Sequence, residues 1–592
     1  MLSISFLFAV AVFVLLLMFF AFLPDLRSCV LASPDAPQLT EPTAKKHGRG
    51  LPGLLLIMVL YSAAAFWNLG NMASPESFAP MEGRSVILEF PETESPASAV
   101  LFPGVGTGAY SIEVSNDQEG WHPVAAFTQD HVSVLKWQYI ELMQMGSFRF
   151  LRIHCTEGRP WLGEIGVRDS DGKLLPAACS IPELCDEAGL IPASSNYMNS
   201  SYFDEIYHAR TAWEHLHSIW PYEISHPPLG KEILALGILL FGMTPFGWRF
   251  SGTVMGILML PVMYFFLQRV IGGRRIPTLG TILLASGFMH YAQTRIATID
   301  SYAVFFIMLM FLFMYAWLSS GKKLDLALCG LSFGFGAACK WTCLYAGAGL
   351  GLIWLAHWIL LMRKDGMRNQ TLPFLKNALF CVLFFVLIPG FIYYLSYIPY
   401  GIAEGKALFS GGYTRLVLDN QSFMLNYHVS VKAEHPYASR WYQWILNIRP
   451  ILYYLEYLPD GKRISIAAFV NPMICWGGLL SLIILSAAAL IRHDRTALFL
   501  LAAYASGIVP WIFVSRLTFE YHYFASAVFL VPAISYVFSL LEKNDRAGRI
   551  CTTGFCVVSV ILFAVFFPVL NGLPIDNTLG SKLFGWLPSW PI

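Results

Sequence analysis

The chain has 592 residues, of which 56% are hydrophobic and only 13% charged, and its 39 basic residues face 38 acidic ones. A soluble domain carries about a quarter charged residues, so a soluble enzyme and a disordered chain are excluded. A net charge of +1 exerts no overall pull on a polyanion, which excludes a nucleic-acid binder. Long apolar runs recur along most of the sequence and make it a polytopic α-helical membrane protein.

A helix that crosses the hydrocarbon core needs about 20 mostly apolar residues. Such runs lie near 3–23, 51–70, 249–269, 277–292, 301–319, 325–339, 342–362, 375–397, 470–491, 497–514, 522–541 and 551–570, twelve in all. The first lacks a positive leader and has a long apolar core, so it reads as a retained helix rather than a signal peptide cut after Ala32. Basic residues mark the cytoplasmic loops. Lys45, Lys46 and Arg49, Arg274 and Arg275, Lys322 and Lys323, Arg363, Lys364 and Arg368, Arg492 and Arg495, and Lys543, Arg546 and Arg549 all fall on one side of a twelve-span arrangement. The opposite, extracytoplasmic side receives 71–248, the short connections at 293–300 and 339–342, the loop 398–469, the connection 515–521 and the tail 571–592. It holds nearly all the polar residues of interest, which places the work of the protein at the outer face of a cell membrane.

Residues 75–175 differ from the rest. Ser85–Phe90, Tyr110–Val114, Trp137–Leu142 and Phe148–Ile153 alternate apolar and polar residues and are separated by Gly, Pro, Asn and Asp. This pattern predicts a small inserted β-sandwich. Its closing stretch, Phe148–Cys155 followed by Leu162–Arg168, resembles discoidin-like, galactose-binding-type jelly rolls. Sugar binding and a spacer role both fit that likeness. Eleven cysteines include no C-x-x-C pair. Cys29, Cys329, Cys339, Cys343, Cys381, Cys475, Cys551 and Cys556 sit in or beside apolar runs as small hydrophobes. Cys155, Cys179 and Cys185 fall in the polar stretch, where Cys179 and Cys185 either pair, if exported, or stay as thiols.

The expected organisation is an extra N-terminal helix and cytoplasmic loop (1–50), a first membrane helix (51–74), the β-sandwich (75–180) and an outer loop rich in polar motifs (181–248). A membrane bundle (249–397), a second outer loop (398–469) and C-terminal membrane helices with a tail (470–592) follow.

The stretch from Asn196 to Lys231 carries the densest chemistry. Asp204 and Glu205 stand just before a short amphipathic helix expected over Ile206–Ile219. His226-Pro-Pro-Leu-Gly-Lys231 then makes a rigid turn into the next helix. A carboxylate near the membrane surface can take a proton from a hydroxyl nucleophile. The same acidic pair is also what a helix N-terminus selects for its cap and macrodipole.

Phe203-Asp-Glu205 with His226–Lys231 resembles the protein O-mannosyltransferases, polytopic enzymes of the GT-C fold. Further similar segments follow in that family's order: Gln293–Ser301, Ala338–Thr342, His435–Trp441 with Trp444, Asn471–Trp476 and Tyr521–Tyr523. The likeness covers about 200–570. Two features depart from it. The 398–469 loop is too short for the MIR-type module of eukaryotic members, as in bacterial members, and the β insert precedes the acidic pair.

The resemblance implies a polyprenyl-phosphate sugar donor, typically mannose, and Ser or Thr hydroxyls of exported proteins as acceptors. Transfer inverts the anomeric centre without a covalent intermediate. Asp204 is the expected base, with Glu205 orienting the acceptor or Asp204 itself. Arg295 is expected to fork onto the donor phosphate with Asp300 as its ion-pair partner, and Lys231, Lys340 and Arg516 are further phosphate candidates. His226, His435, Trp441, Trp444, His522 and Tyr523 are candidates for substrate or sugar contact. Turn stabilisation competes for the two histidines before proline, and helix-end anchoring for Arg516, His522 and Tyr523. No catalytic metal or cofactor is expected, because the sequence shows no His/Cys cluster for a bound metal. Partners are the lipid-linked donor, exported acceptors and membrane lipid. Nucleic acid is not among them, and a dimer is an assembly seen in eukaryotic relatives. The same fold acting on a lipid or cell-wall glycan is the alternative. A sugar transporter or flippase is a distant one, since no internal repeat is visible.

Overall fold

The computed structural model describes residues 50–591 except 144–145, 431–433 and 543–545. The expected membrane helix at 3–23, Ala32, Cys29, Lys45, Lys46, Arg49 and Lys543 lie outside the described residues. The described chain divides into two compact units, one of 50–68, 223–232 and 252–591, the other of 69–222 and 233–251.

The first unit is helical. Among the described residues seven helices are long and apolar enough to cross a membrane: Pro245–Val270, Asp300–Ser320, Thr342–Asp365, Met367–Ala403, Pro472–Arg492, Arg495–Phe513 and Arg546–Asn571. An eighth arises if Glu520–Ala527 and Leu530–Leu541, bent by 40°, count as one span. Three other expected spans are helical but shorter. Leu51–Phe66 has 16 residues and Lys323–Cys339 has 17. The run at 277–292 is broken into Arg275–Ala285 and Phe288–Thr294.

The break has an identifiable cause. Asn471 Nδ2 donates to the Ser286 carbonyl at 2.9 Å and to the Ser559 carbonyl at 3.1 Å, and Ser286 Oγ meets Ser559 Oγ at 2.9 Å. A side chain that takes a carbonyl out of the i→i−4 ladder ends the helix there. Asn471 Oδ1 also caps Pro472–Arg492 through the Met473 N–H at 3.1 Å. Close helix approach is prepared in sequence by Gly252 and Gly256, four apart. A Cβ at Gly252 would lie 2.8 Å from the Thr294 carbonyl oxygen, and one at Gly256 2.5 Å from Thr294 Oγ1. Small residues at this spacing let membrane helices touch backbone to backbone.

The 398–469 loop is more ordered than the sequence reading foresaw. It carries the helix Gly411–Ser430, the short helix Trp441–Ile445 and an antiparallel hairpin, Ile451–Tyr457 with Lys462–Ala468. The hairpin turns at Asp460-Gly461, with Gly461 at φ 76°, the signal that Asp-Gly between apolar runs gives. Ile575–Asp576 of the C-terminal tail adds a third strand.

The second unit contains the expected sandwich. Its strands are β1 (Ala79–Pro80), β2 (Ser85–Glu94), β3 (Ser98–Pro103), β4 (Gly108–Ser115), β5 (His122–Gln129), β6 (Gln138–Glu141), β7 (Phe148–Gly158), β8 (Trp161–Arg168) and β9 (Ala178–Cys179). One sheet runs β1-β8-β3-β6 and the other β5-β4-β7-β2-β9, with all pairings antiparallel. Val86, Leu88 and Phe90 point inward from β2 and meet Tyr110, Ile112, Leu151, Ile153, Leu162 and Ile165 in one core. This is the period-two burial that the alternating sequence predicts. The boundary expected at 180/181 does not separate compact bodies, because residues 181–222 belong to the same unit as the sandwich.

Candidate functional site

In the second unit, Glu205–Leu216 forms the short helix expected after the acidic pair, and Asp204 occupies its N-cap position. The Asp204 carboxylate makes no capping hydrogen bond; only its backbone carbonyl enters the helix, accepting the N–H groups of Tyr207 at 3.0 Å and His208 at 3.2 Å. The capping explanation of the acidic pair therefore does not account for Asp204. Phe203, just before it, sits at φ 49°. An aromatic residue pays strain in the left-handed region, and such strain persists where the surroundings over-determine the backbone. Asp204 remains partly accessible.

Glu205 has a different task. Its two oxygens take Arg249 Nε and Nη2, each at 2.7 Å, and both side chains are buried. Arg249 also donates to the carbonyls of Leu69 at 2.8 Å, Tyr197 at 2.7 Å and Ser200 at 3.1 Å. Glu205 is thus the counter-ion of a buried hub that gathers three chain segments, which corrects its expected role beside the acceptor.

In the first unit, the His226–Lys231 turn is built around Glu223. Lys231 is fully buried, pairs with the Glu223 carboxylate, and donates to the Glu223 carbonyl at 2.7 Å and to the His226 carbonyl at 3.1 Å. A buried ion pair and two donated bonds engage the ammonium inside the turn, so Lys231 fixes the turn and is not placed to bind phosphate. Glu223 Oε1 also meets His226 Nδ1 at 3.0 Å. His428, from the helix Gly411–Ser430, joins the turn by its Nε2 contact with the Ser225 carbonyl at 2.9 Å, and its ring lies 5.2 Å from that of His226.

Basic groups converge here. Lys340 Nζ lies 2.7 Å from Asp300 and 5.7 Å from the Tyr521 ring centre. Trp341 lies 6.2 Å from the His428 ring. Burial holds His428 down at about 4, and the nearby charges of His226, Arg516 and Lys340 add to the shift. His226 is lowered by burial against the opposing pull of Glu223, with Lys340 and Lys231 adding to the lowering. Both rings are therefore neutral at pH 7 and sit among lysine and arginine cations. His428 Nδ1 is buried and accepts or donates no hydrogen bond among the described residues. Such a set suits an anion with hydroxyls attached.

Arg295 stands elsewhere in chemical terms. Its guanidinium donates to the carbonyls of Ala65, Trp67 and Asn68, each at 2.9 Å, to Leu570 O at 3.4 Å and to Asn571 Oδ1 at 3.2 Å. It ties together the C-terminal ends of Leu51–Phe66 and Arg546–Asn571, where orphan carbonyls and the macrodipole favour a cation. This corrects both its expected phosphate role and its expected pairing, since Asp300 pairs with Lys340.

The aromatic candidates divide. Trp444 is buried, with His522 stacked on it (5.9 Å) and Trp511 packed edge-on (5.6 Å), so it is not open to a sugar. Tyr523 is buried with its hydroxyl 2.8 Å from that of Tyr504. His522 Nδ1 contacts its own turn at Phe519 O, 3.0 Å away. His435 Nδ1 accepts the Tyr437 N–H at 3.2 Å, a turn contact. Trp441 and Arg516 keep partial exposure. Glu223, Arg249 and His428 escaped the sequence reading. Only Glu223, three residues before His226, carried a spacing signal.

A cavity of about 560 Å³ lies between Thr342–Asp365 and Arg495–Phe513. Its wall is mostly apolar, with Tyr345, Leu352, Phe499, Ala502 and Val509 along it.

Two family models match the chain, Dolichyl-phosphate-mannose-protein mannosyltransferase over residues 241–399 and the C-terminal four TMM region of protein-O-mannosyltransferase over 414–590. The polyprenol-phosphate-mannose–protein mannosyltransferase of Mycobacterium tuberculosis is 24% identical over 453 residues, covering 66% of this chain and 86% of that protein. Its counterpart in Mycolicibacterium smegmatis is 25% identical over 452 residues, covering 66% and 87%. Among solved structures, the S. cerevisiae protein O-mannosyltransferase Pmt1-Pmt2 complex bound to the sugar donor aligns with a TM-score of 0.58 at 13% identity, over 66% of this chain and 89% of that one, a likeness of fold. With the two models together spanning more than half of its length, the chain belongs to the protein O-mannosyltransferase family and has the GT-C fold.

Proposed function

We propose that the protein transfers mannose from a polyprenyl-phosphate donor to Ser or Thr hydroxyls of exported proteins at the outer face of the membrane. The observation that carries this reading is the gathering of Lys340, Arg516, His226 and His428 in one place, with His428 Nδ1 left without a partner among the described residues. Lys340 and Arg516 stabilise the phosphate as negative charge builds on the leaving oxygen. The neutral imidazole of His428 accepts a hydroxyl of the sugar. The apolar cavity takes part of the isoprenoid chain.

Asp204 removes the proton of the acceptor hydroxyl as its oxygen bonds to the anomeric carbon. The bond from that carbon to the phosphate oxygen breaks, the electron pair leaves with polyprenyl phosphate, and the configuration inverts. The relatives' names support mannose and a protein acceptor. No metal is required in this scheme, because cationic side chains supply the charge.

The test is transfer of radiolabelled mannose from synthetic polyprenyl-phosphate-mannose by purified protein, with a Ser/Thr-rich peptide in one tube and membrane lipids in another. Label on the peptide, lost in Asp204→Asn, is the expected result. Label on lipid alone would move the acceptor, and full activity of Asp204→Asn would remove the base.

A further inference from the structure

The β-sandwich carries a group that the transfer reaction does not use. Glu164 lies in the middle of β8, opposite Phe102 of β3. Its side chain is fully buried. Oε2 accepts the Glu187 N–H at 3.1 Å, while Oε1 has no hydrogen-bond partner among the described residues. A buried carboxylate oxygen without a partner is costly unless a cation or a proton meets it.

Two more carboxylates come to the same place. Oxygens of Glu164, Asp186 and Glu187 all lie within 4.8 Å of one another. The turn that brings Asp186 and Glu187 to β8 is anchored by Ile181 and Leu184, both buried in the sandwich core. Glu187 is fixed further, since its carboxylate accepts the Glu76 N–H at 3.0 Å. The three carboxylates are thus held together by packing rather than by attraction for one another, and like charges this close repel. Asp186 is exposed and leaves the group open to solvent.

We propose that Glu164, Asp186 and Glu187 bind one calcium ion, which fastens the 181–187 turn to the sandwich. The donors are all carboxylate oxygens, the choice of a hard cation. Calcium–oxygen bonds of about 2.3–2.6 Å let one ion bridge oxygens up to about 5 Å apart, whereas the about 2.1 Å bonds and octahedral demand of magnesium suit a tighter set. Waters and backbone carbonyls complete the shell. The ion has no part in glycosyl transfer and is a structural clasp of the insert.

The test uses the full chain in detergent and reads no transfer activity. Radioactive calcium is measured by equilibrium dialysis, and thermal unfolding is followed in calcium, in magnesium and in EGTA. The expected result is saturable binding of one calcium per chain, a melting temperature lowered by EGTA and restored by calcium but not by equal magnesium, and binding lost in Glu164→Gln. Asp186→Asn, on an exposed side chain that cannot disturb the core, is expected to weaken binding about tenfold or more, the loss of roughly 1.4 kcal/mol. Absence of saturable calcium binding, or binding unchanged in both variants, would overturn the proposal. So would stoichiometric zinc uptake that Cys179→Ser removes, since that would assign the place to thiolates.

Discussion

Arg249 and Glu205 meet in a two-point fork, Nε to Oε1 and Nη2 to Oε2, with 2.7 Å in each arm and neither side chain open to solvent. The partner of the candidate base is therefore a structural residue, and neighbours in sequence have unlike tasks. Removing one member of a buried ion pair strands the other charge, at a cost of about 3–5 kcal/mol. Glu205→Gln is expected to lower the melting temperature of the purified protein and the yield of folded chain. Asp204→Asn, whose side chain does not cap the helix, is expected to cost less stability than Glu205→Gln and to reduce kcat by about 10²–10⁴-fold, the range for a general base. Equal stability losses in the two variants would refute the division.

Lys231 and Lys340 are separated by the same kind of argument. Lys231 spends its protons on Glu223 and the His226 carbonyl. Among the described residues, Lys340 pairs with a single carboxylate, Asp300, at 2.7 Å. Lys340→Gln is expected to keep a near-normal melting temperature and lose about 10²-fold in turnover, as when one donor to a developing oxyanion is removed. Lys231→Gln is expected to fail first in stability. Turnover and unfolding measured on the same two preparations check both statements.

His428 makes stability depend on pH. Its folded pKa of about 4 lies below the usual 6.5 because burial disfavours the imidazolium. The unfolded chain then binds the proton more readily, so the stabilising contribution of the neutral ring is complete above about 6.5 and is lost as pH falls toward 4. The Lys340, Arg516, Lys231 and Glu223 side chains are the charged groups acting around it and His226. His428→Gln is expected to flatten the fall in melting temperature between pH 6.5 and 4. An unchanged slope would remove His428 from the acid response.

How much of this was legible in sequence depends on how local the cause was. The helices followed from apolar runs, and the sandwich from alternation in segments such as Ser85–Phe90, because both periods are set by neighbours along the chain. The break at Ser286–Gly287 was not legible, since it depends on Asn471, which lies 185 positions away. Asp204 and Lys340 were named from their motifs. Arg295 stood in an equally good motif, yet its guanidinium closes two helix ends, a role visible only once Ala65 and Leu570 are beside it. Arg249 was missed because an arginine at a helix start has no pattern of its own, and its partner Glu205 is 44 positions earlier. The Asp460-Gly461 hairpin has a local signal, Asp-Gly between apolar runs, inside the stretch read only as a second outer loop.

The cavity between Thr342–Asp365 and Arg495–Phe513 offers a test of donor length. Ala502 lines it, whereas Lys340 and Arg516 are not among its lining residues, and a tryptophan at 502 fills its space. Ala502→Trp is expected to raise KM for a long polyprenyl-phosphate-mannose by about tenfold, roughly 1.4 kcal/mol, or the burial of about two methylenes. A short-chain donor is expected to be unaffected. Equal KM changes for both donors would show that the isoprenoid runs elsewhere.

Cys179 and Cys185 are both half-buried, and the Cys185 thiol donates toward Cys179 sulfur, which lowers the Cys179 thiol and raises that of Cys185. Cys179 Sγ also lies 3.1 Å from the Ile181 carbonyl. The turn between them is held by Ile181 and Leu184, both buried in the sandwich core. An exported sandwich folds where disulfides form and persist, whereas a cytoplasmic one would keep its thiols. Protein isolated without reductant is therefore expected to resist maleimide at both positions and to take two labels in the 179–185 peptide after reduction, read by mass spectrometry. Closing so short a loop constrains the unfolded chain by about 2 kcal/mol, so reduction is expected to lower the melting temperature. Free labelling of both cysteines in unreduced protein would place this unit on the cytoplasmic side, and with it Asp204, which belongs to the same compact unit.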